Sequence, residues 1–240
     1  MNKPTILFEN DNVMVVDKPA GLIVHPSSEE DMRDSVASWF IDRCPEAFGV
    51  GENQMRSGIV HRLDQDTSGV LILAKNEDSY LALKEQFAER HVTKIYRALV
   101  YGTLKEERGV IDRSLATSAD SLRRRTVALG GTASSRTALT YWKVLKRFPE
   151  EAHVTYVELY PKTGRTHQIR IHMQSIGHGV VCDRTYMPKG VCPVGGLARQ
   201  ALHAYSLEIV LPGMKGSQTF AAPLPEDFEA ALRFLRGLAS

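Results

Sequence analysis

The sequence predicts an α+β fold, a mixed, largely antiparallel central sheet flanked by helices and loops. Three observations predict it. Short runs of β-branched and aromatic residues follow one another for most of the chain, so neighbouring strands can pair without long crossovers. Helical spacing of apolar residues is confined to a few segments between them. Gly, Pro, Asn and Asp mark the junctions. No internal repeat and no Gly/Ser- or Pro-rich linker divides residues 1–240, so a single domain is expected.

Ile6 to Val16 reads as two strands about the turn Glu9-Asn-Asp-Asn12. The second runs into Asp17-Lys-Pro-Ala-Gly21, where Pro19 and Gly21 stop it. A short apolar run, Leu22 to Val24, precedes His25-Pro26. Asp31 to Arg43 has amphipathic helical spacing, with Val36, Trp39, Phe40 and Arg43 on one face. Val70 to Ala74 has the length and branching of a buried strand. Asp78 is placed to cap a helix reaching about Arg90, with Tyr80, Leu83, Lys84 and Phe87 on one side. Lys94 to Tyr101 alternates as a strand, with Tyr96 and Arg97 on opposite faces, and Gly102 ends it. Residues 103–135 are poorly patterned and read as a basic loop with short strands. Ala138 to Lys146 and Val154 to Tyr160 are further strands. Beyond the turn Pro161 to Arg165, Thr166 can cap a helix from His167 to about Ser175. Ile169, Met173 and Ile176 form its apolar stripe, and Arg170 and Gln174 share another side. Ser206 to Leu211 and Ser217 to Ala221 close the sheet around Pro212-Gly213. Pro225-Glu-Asp opens a last helix with acids in its first turn, where the dipole favours them.

An apolar fraction of 43% and a charged fraction of 24% are those of an ordinary globular protein, so composition selects no function. Three cysteines, Cys44, Cys182 and Cys192, fit a reducing compartment and are expected to be small core or surface residues. The first residues lack the apolar core of a signal peptide, and no run reaches membrane-spanning length. A cytoplasmic protein with no membrane partner is expected. The net charge of +2 conceals an asymmetry. Residues 1–60 carry ten acids against five Lys and Arg, whereas from Arg113 to Arg147 eight cations, Arg123, Arg124 and Arg125 among them, face Asp120 alone. Such asymmetry suits a polyanion on one face; a solvated basic loop would look the same.

Polar and turn-forming residues gather in four clusters, Asp17–Gly21, His61–Gly69, Lys94–Gly102 and Gly164–Arg170, each at a predicted strand end. Singly, each fits turn chemistry, sheet packing or a surface ion pair. Convergent, they would set Asp64 among Arg62, Arg165 and Arg170, with Tyr96 nearby. Guanidinium groups keep a neighbouring carboxylate ionised, which suits a nucleophile better than a general acid. Their planar forks match phosphate, and a tyrosine can stack on a flat ring. No metal is expected. His167 and His172 are five residues apart and do not share a helical face, and no supporting carboxylates accompany them.

Taken together, the clusters resemble the RluA/RluD-type pseudouridine synthases. The resemblance rests on Asp17-Lys-Pro-Ala-Gly-Leu-Ile-Val-His-Pro26, His61-Arg-Leu-Asp-Gln-Asp-Thr-Ser-Gly69, Lys94-Ile-Tyr-Arg-Ala-Leu-Val-Tyr-Gly102 and Gly164-Arg-Thr-His-Gln-Ile-Arg-Ile-His172, four motifs in order across residues 6–236. It implies a catalytic cleft and an RNA substrate, ribosomal RNA of the large subunit before tRNA, acted on by a monomer without cofactor. A uridine base is detached from ribose, turned and rejoined through carbon 5. The resemblance makes Asp64 the catalytic aspartate and lays Tyr96 against the base. Arg165 is the partner of Asp64, Ile169 lies under the ring, and Arg62 contacts RNA beside the displaced nucleotide. Many members carry a small RNA-binding domain ahead of the catalytic one; here the catalytic pattern begins by Ile6. Site choice is therefore expected from the Arg113–Arg147 region, with Arg123, Arg124 and Arg125 on the RNA. Two rivals are a metal-dependent nuclease using Asp64, Asp66 and His61, and an RNA-binding protein without catalysis.

Overall fold

The computed structural model describes residues 3–28, 34–118, 121–127, 135–148, 152–187, 192, 194 and 196–238. In chain order the strands are β1 (Thr5–Glu9), β2 (Val13–Lys18), β3 (Ser68–Ala74), β4 (Thr93–Tyr101), β5 (Arg108–Asp112), β6 (Leu115–Ser118), β7 (Ser121–Val127), β8 (Leu139–Arg147), β9 (Val154–Pro161), β10 (Leu202–Val210) and β11 (Ser217–Ala221). The α-helices are α1 (Val36–Arg43), α2 (Glu77–Ala88), α3 (Gln168–Ser175) and α4 (Glu226–Gly237). The fold is α+β and its strand pairing mostly antiparallel, as the sequence predicts. The chain divides into two compact units, one built from residues 1–94 and 204–223, the other from 95–203 and 224–240.

In the first unit the strands lie in the order β1-β2-β3-β10, with β11 beside β10. All seven residues of β3 are buried, because it is covered on both faces and has strands on both sides. Val13, Val15, Val70, Ile72, Leu207 and Ile209 pack there with Tyr80 and Leu83 of α2. Gly69 opens β3 at φ +117°, and a Cβ on it would collide with the Ala204 backbone. Only glycine permits that approach of β3 to β10. Helix α1 starts from a capping box between Ser35 and Ser38; the predicted start at Asp31 lies outside the described residues. Helix α2 is capped by Asn76, whose side chain accepts from the Ser79 N–H at 3.0 Å, and not by Asp78, which falls inside the first turn.

In the second unit the order is β4-β9-β8-β5, with β6 and β7 as a separate hairpin. Leu99, Val157 and Leu159 pack with Ile169 and Met173 of α3 and with Phe228 and Leu232 of α4. Strand β5 escapes the sequence pattern because it is an edge: Val110 is 55% exposed, and Gly109 leaves room for the Trp142 indole. Cys182 and Cys192 are joined as a disulfide, with Cα atoms 4.9 Å apart, while Cys44 is free and buried. This corrects the expectation of three unpaired cysteines: the ten-residue separation returns within bridging distance.

Candidate active site

In the first unit Asp64 is half-buried on the loop leading into β3. Its carbonyl accepts from the Thr67 N–H at 3.1 Å, closing a tight turn. The next residue, Gln65, is clamped from across the loop. Its carbonyl accepts from the Gly21 N–H at 3.0 Å and from Lys18 Nζ at 2.9 Å, and its side chain donates to the Gly21 carbonyl at 3.0 Å. Lys18 is fully buried and also donates to the carbonyls of Pro19 and Leu22, each at 2.8 Å. One ammonium group thus gathers three carbonyls and ties the Asp17–Gly21 loop to the residue after Asp64. Lys18 belongs to the Asp17–Pro26 motif, but the sequence alone assigns it no task. The signal was a lysine ending an otherwise apolar strand, a place where its charge needs several acceptors.

His61 stacks on Phe87 with ring centroids 4.5 Å apart, and its Nε2 accepts from the Ile72 N–H at 3.1 Å. It braces the later half of β3 as a neutral ring. Burial, with Lys94 adding to it, pushes its pKa down to about 3. Arg62 is exposed, and its Nη1 lies 3.1 Å from His25 Nε2.

In the second unit Tyr96 lies opposite Leu159 of β9, half-buried against the core cluster that contains Ile169. Ile169 is 6% exposed. Arg165 sits on the turn before α3, and Gln168 holds that turn. The Gln168 Oε1 accepts from the Thr163 hydroxyl at 2.6 Å and the Arg165 N–H at 3.1 Å, while its Nε2 donates to the Leu139 carbonyl and to Thr140 Oγ1. The Arg165 Nε donates to the Thr137 carbonyl at 3.3 Å. Thr166 does not cap the helix. His167 is the N-cap residue, at φ 57°, and the side chain of Gln168 serves the turn instead.

Arg170, expected among the substrate-binding residues, is buried. It is 5% exposed and forms a bidentate ion pair with Asp183, at 2.6 and 2.8 Å, with its guanidinium 5.1 Å from the Tyr186 ring centroid. Asp183 also accepts from the N–H groups of Thr185 and Tyr186, and the Tyr186 hydroxyl meets His167 Nδ1 at 2.9 Å. Arg170 therefore anchors α3 from within. A helical wheel assigns a lone charge to solvent; its partner, 13 residues on, lies outside that view.

The basic stretch is also partly structural. Arg113 donates to the Ser175 carbonyl at the end of α3, and Arg147 grips the backbone carbonyls of Leu104, Lys105 and Glu106. Lys143 and Lys146 are exposed. Arg123, Arg124 and Arg125 lie on β7, and their side chains fall outside the described residues. Among the described residues no group of three His, Cys, Asp or Glu could hold a metal ion, and no helix is long and apolar enough to cross a membrane.

Three histidines make folding pH-dependent. His61, His25 and His172 have lowered pKa values, burial being the first cause in each. The unfolded chain takes up these protons near pH 6.5 and the folded chain resists them. Their contribution is complete above that pH and is lost as the pH falls, down to about 3 for His61. Asp17, raised to about 6 by burial, acts in the opposite sense between its ordinary 3.8 and 6. With three groups against one, the urea midpoint is expected to fall from pH 7 to pH 5. His61→Gln, which keeps an acceptor for Ile72, should shallow the decline; a flat midpoint across that range would refute the assignment.

Residues 12–175 match the family model described as RNA pseudouridylate synthase. The chain is 36% identical over 231 residues to an uncharacterized RNA pseudouridine synthase of Synechocystis sp., covering 96% of this chain and 68% of that protein. It is 37% identical over 238 residues to ribosomal large subunit pseudouridine synthase D of Nitrosomonas europaea, covering 97% and 65%. It thus spans about two thirds of the length of these relatives. The solved structure of human RNA pseudouridylate synthase domain containing 1 aligns with a TM-score of 0.73 at 26% identity, over 99% of this chain and 95% of that one. Fold, motif loops and matches together define an RNA-modifying isomerase. The chain belongs to the RNA pseudouridylate synthase family.

Proposed function

We propose that this chain converts uridine to pseudouridine in ribosomal RNA of the large subunit, in the cytoplasm, as a monomer and without cofactor or metal. The observation that carries the reading is the build of the Asp64 loop: a half-buried carboxylate on a turn clamped through Gln65 by a buried lysine. Relatives from Nitrosomonas, Neisseria and Pseudomonas named as large-subunit synthases support the choice of RNA. In the reaction the bond from C1′ to N1 breaks, the base turns, and a bond from C1′ to C5 forms. The C5 proton leaves to solvent and N1 ends protonated. Asp64 is the reactive carboxylate, and Arg165 is a second charged residue of the catalytic set. Tyr96 lies against the base and assists removal of the C5 proton, Ile169 packs beneath the ring, and Arg62 contacts the RNA. Taking the nucleotide out of its stack costs about a few kcal/mol, which contacts to flanking phosphates offset. Residues 1–240 form one catalytic domain, since each unit draws on two separate stretches and neither can be excised as a continuous segment.

The test uses large-subunit ribosomal RNA carrying tritium at C5 of uridine, with a chelator present. Tritium release to water is expected; no release from ribosomal RNA, tRNA or assembled ribosomal particles would overturn the reading. Replacing Arg123, Arg124 and Arg125 together with alanine should weaken RNA binding. It should also make the slope of log affinity against log salt shallower by up to about 3, because fewer counterions are released. An unchanged slope would remove these arginines from the interface.

A further inference from the structure

The hydrogen bond between Arg62 and His25 has no part in the scheme above, yet its chemistry is tightly determined. A guanidinium can only donate, so His25 Nε2, 3.1 Å from Arg62 Nη1, must present a lone pair. The Pro26 carbonyl can only accept, so His25 Nδ1, 2.7 Å from it, must carry the hydrogen. A single neutral tautomer satisfies both contacts, and the imidazolium satisfies only one. The ring is 8% exposed. Among the described residues the charged groups facing it are Arg62 and, on the turn Gln54–Arg56, Arg56; both are cations. We propose that His25 is the positioning residue for Arg62, tethering its guanidinium two residues from Asp64 while the imidazole is neutral and releasing it on protonation. Burial first favours the neutral ring; the bond to the Pro26 carbonyl opposes it and the two cations add to it, so the tether holds at neutral pH and loosens below the ordinary histidine value of 6.5. Arg62 is otherwise exposed, and one fixed N–H leaves its remaining donors aimed with less rotamer freedom to lose on contact.

The functional half of this inference rests on the reading of Arg62 as an RNA contact, so tether and contact are tested separately. Nitrogen NMR of the free protein reads the tether. The neutral ring is expected to carry its hydrogen on Nδ1, and its titration midpoint should rise in Arg62→Met. An Nε2–H tautomer, or a midpoint indifferent to Arg62→Met, would overturn the tether. Single-turnover kinetics read the consequence. His25→Ala should raise KM for RNA about tenfold, equivalent to ~1.4 kcal/mol, with the limiting rate within about twofold of the parent. His25→Gln, whose amide oxygen stands where Nε2 stood, should restore KM and abolish its rise below pH 6.5. A pH-dependent KM surviving in His25→Gln would overturn the release step. If Arg62→Met moves the His25 midpoint but not KM, the tether stands and Arg62 is removed from the RNA contact.

Discussion

Asp64→Asn is expected to abolish pseudouridine formation, lowering the single-turnover rate by at least about 10³-fold, equivalent to ~4 kcal/mol of transition-state stabilisation. The substitution is nearly isosteric. The turn from Asp64 to Thr67 is closed by backbone groups and Gln65 is held by Lys18 and Gly21, so the loop should keep its frame. An amide can neither attack carbon nor remove a proton as a carboxylate can, whichever of these Asp64 performs. RNA affinity should change little, so the loss falls on the rate and not on KM. Asp64→Glu keeps the charge but moves it by one methylene, and a displacement of that order costs about 10²-fold. Tritium release at the parent rate from the asparagine variant would remove Asp64 from the chemistry.

Lys18→Met carries the second large effect. Methionine matches the length and volume of the buried stem, so no cavity opens, but the carbonyls of Pro19, Leu22 and Gln65 lose a shared donor. Unsatisfied buried acceptors cost about 1–3 kcal/mol each, and with partial access to water a total loss near 3 kcal/mol is expected. Release of Gln65 also loosens the residue beside Asp64. A shift of about 1 Å there should cut the rate about 10²-fold even in the fraction that remains folded. Urea unfolding measures the first effect, and single-turnover tritium release, well below the unfolding temperature, measures the second. A stable variant of undiminished rate would show that the lysine only fills space.

Strands announced themselves in the sequence where both faces are covered or the alternation is clean. Val154–Tyr160 differs from β9 only at its last residue, and Lys94–Tyr101 from β4 only at its first. Strand β10 begins four residues before the predicted Ser206, because the buried His203 interrupts the apolar run that would reveal it. The Asp64 and Arg165 loops were legible because turn residues and charges crowd there without a competing core role. What props them was not. Lys18, Gln168 and the pair Arg170–Asp183 are polar groups inside the protein, and their partners are backbone carbonyls or side chains distant in sequence. Periodicity assigns a charge to solvent by default, and only three dimensions show which charges have acceptors waiting indoors.

The interleaving of the two units bears on how the chain is made. Emerging from its amino end, the polypeptide would complete β1, β2 and β3 early, yet β10 and β11 of the same unit arrive more than a hundred residues later. Until then β3, apolar from Val70 to Ala74, has an open flank where β10 will lie. An open apolar edge invites pairing with another chain. The nascent protein thus passes through a prolonged vulnerable interval that ends when the Ala204 backbone reaches Gly69, and helpers that shield nascent chains would matter most during that wait.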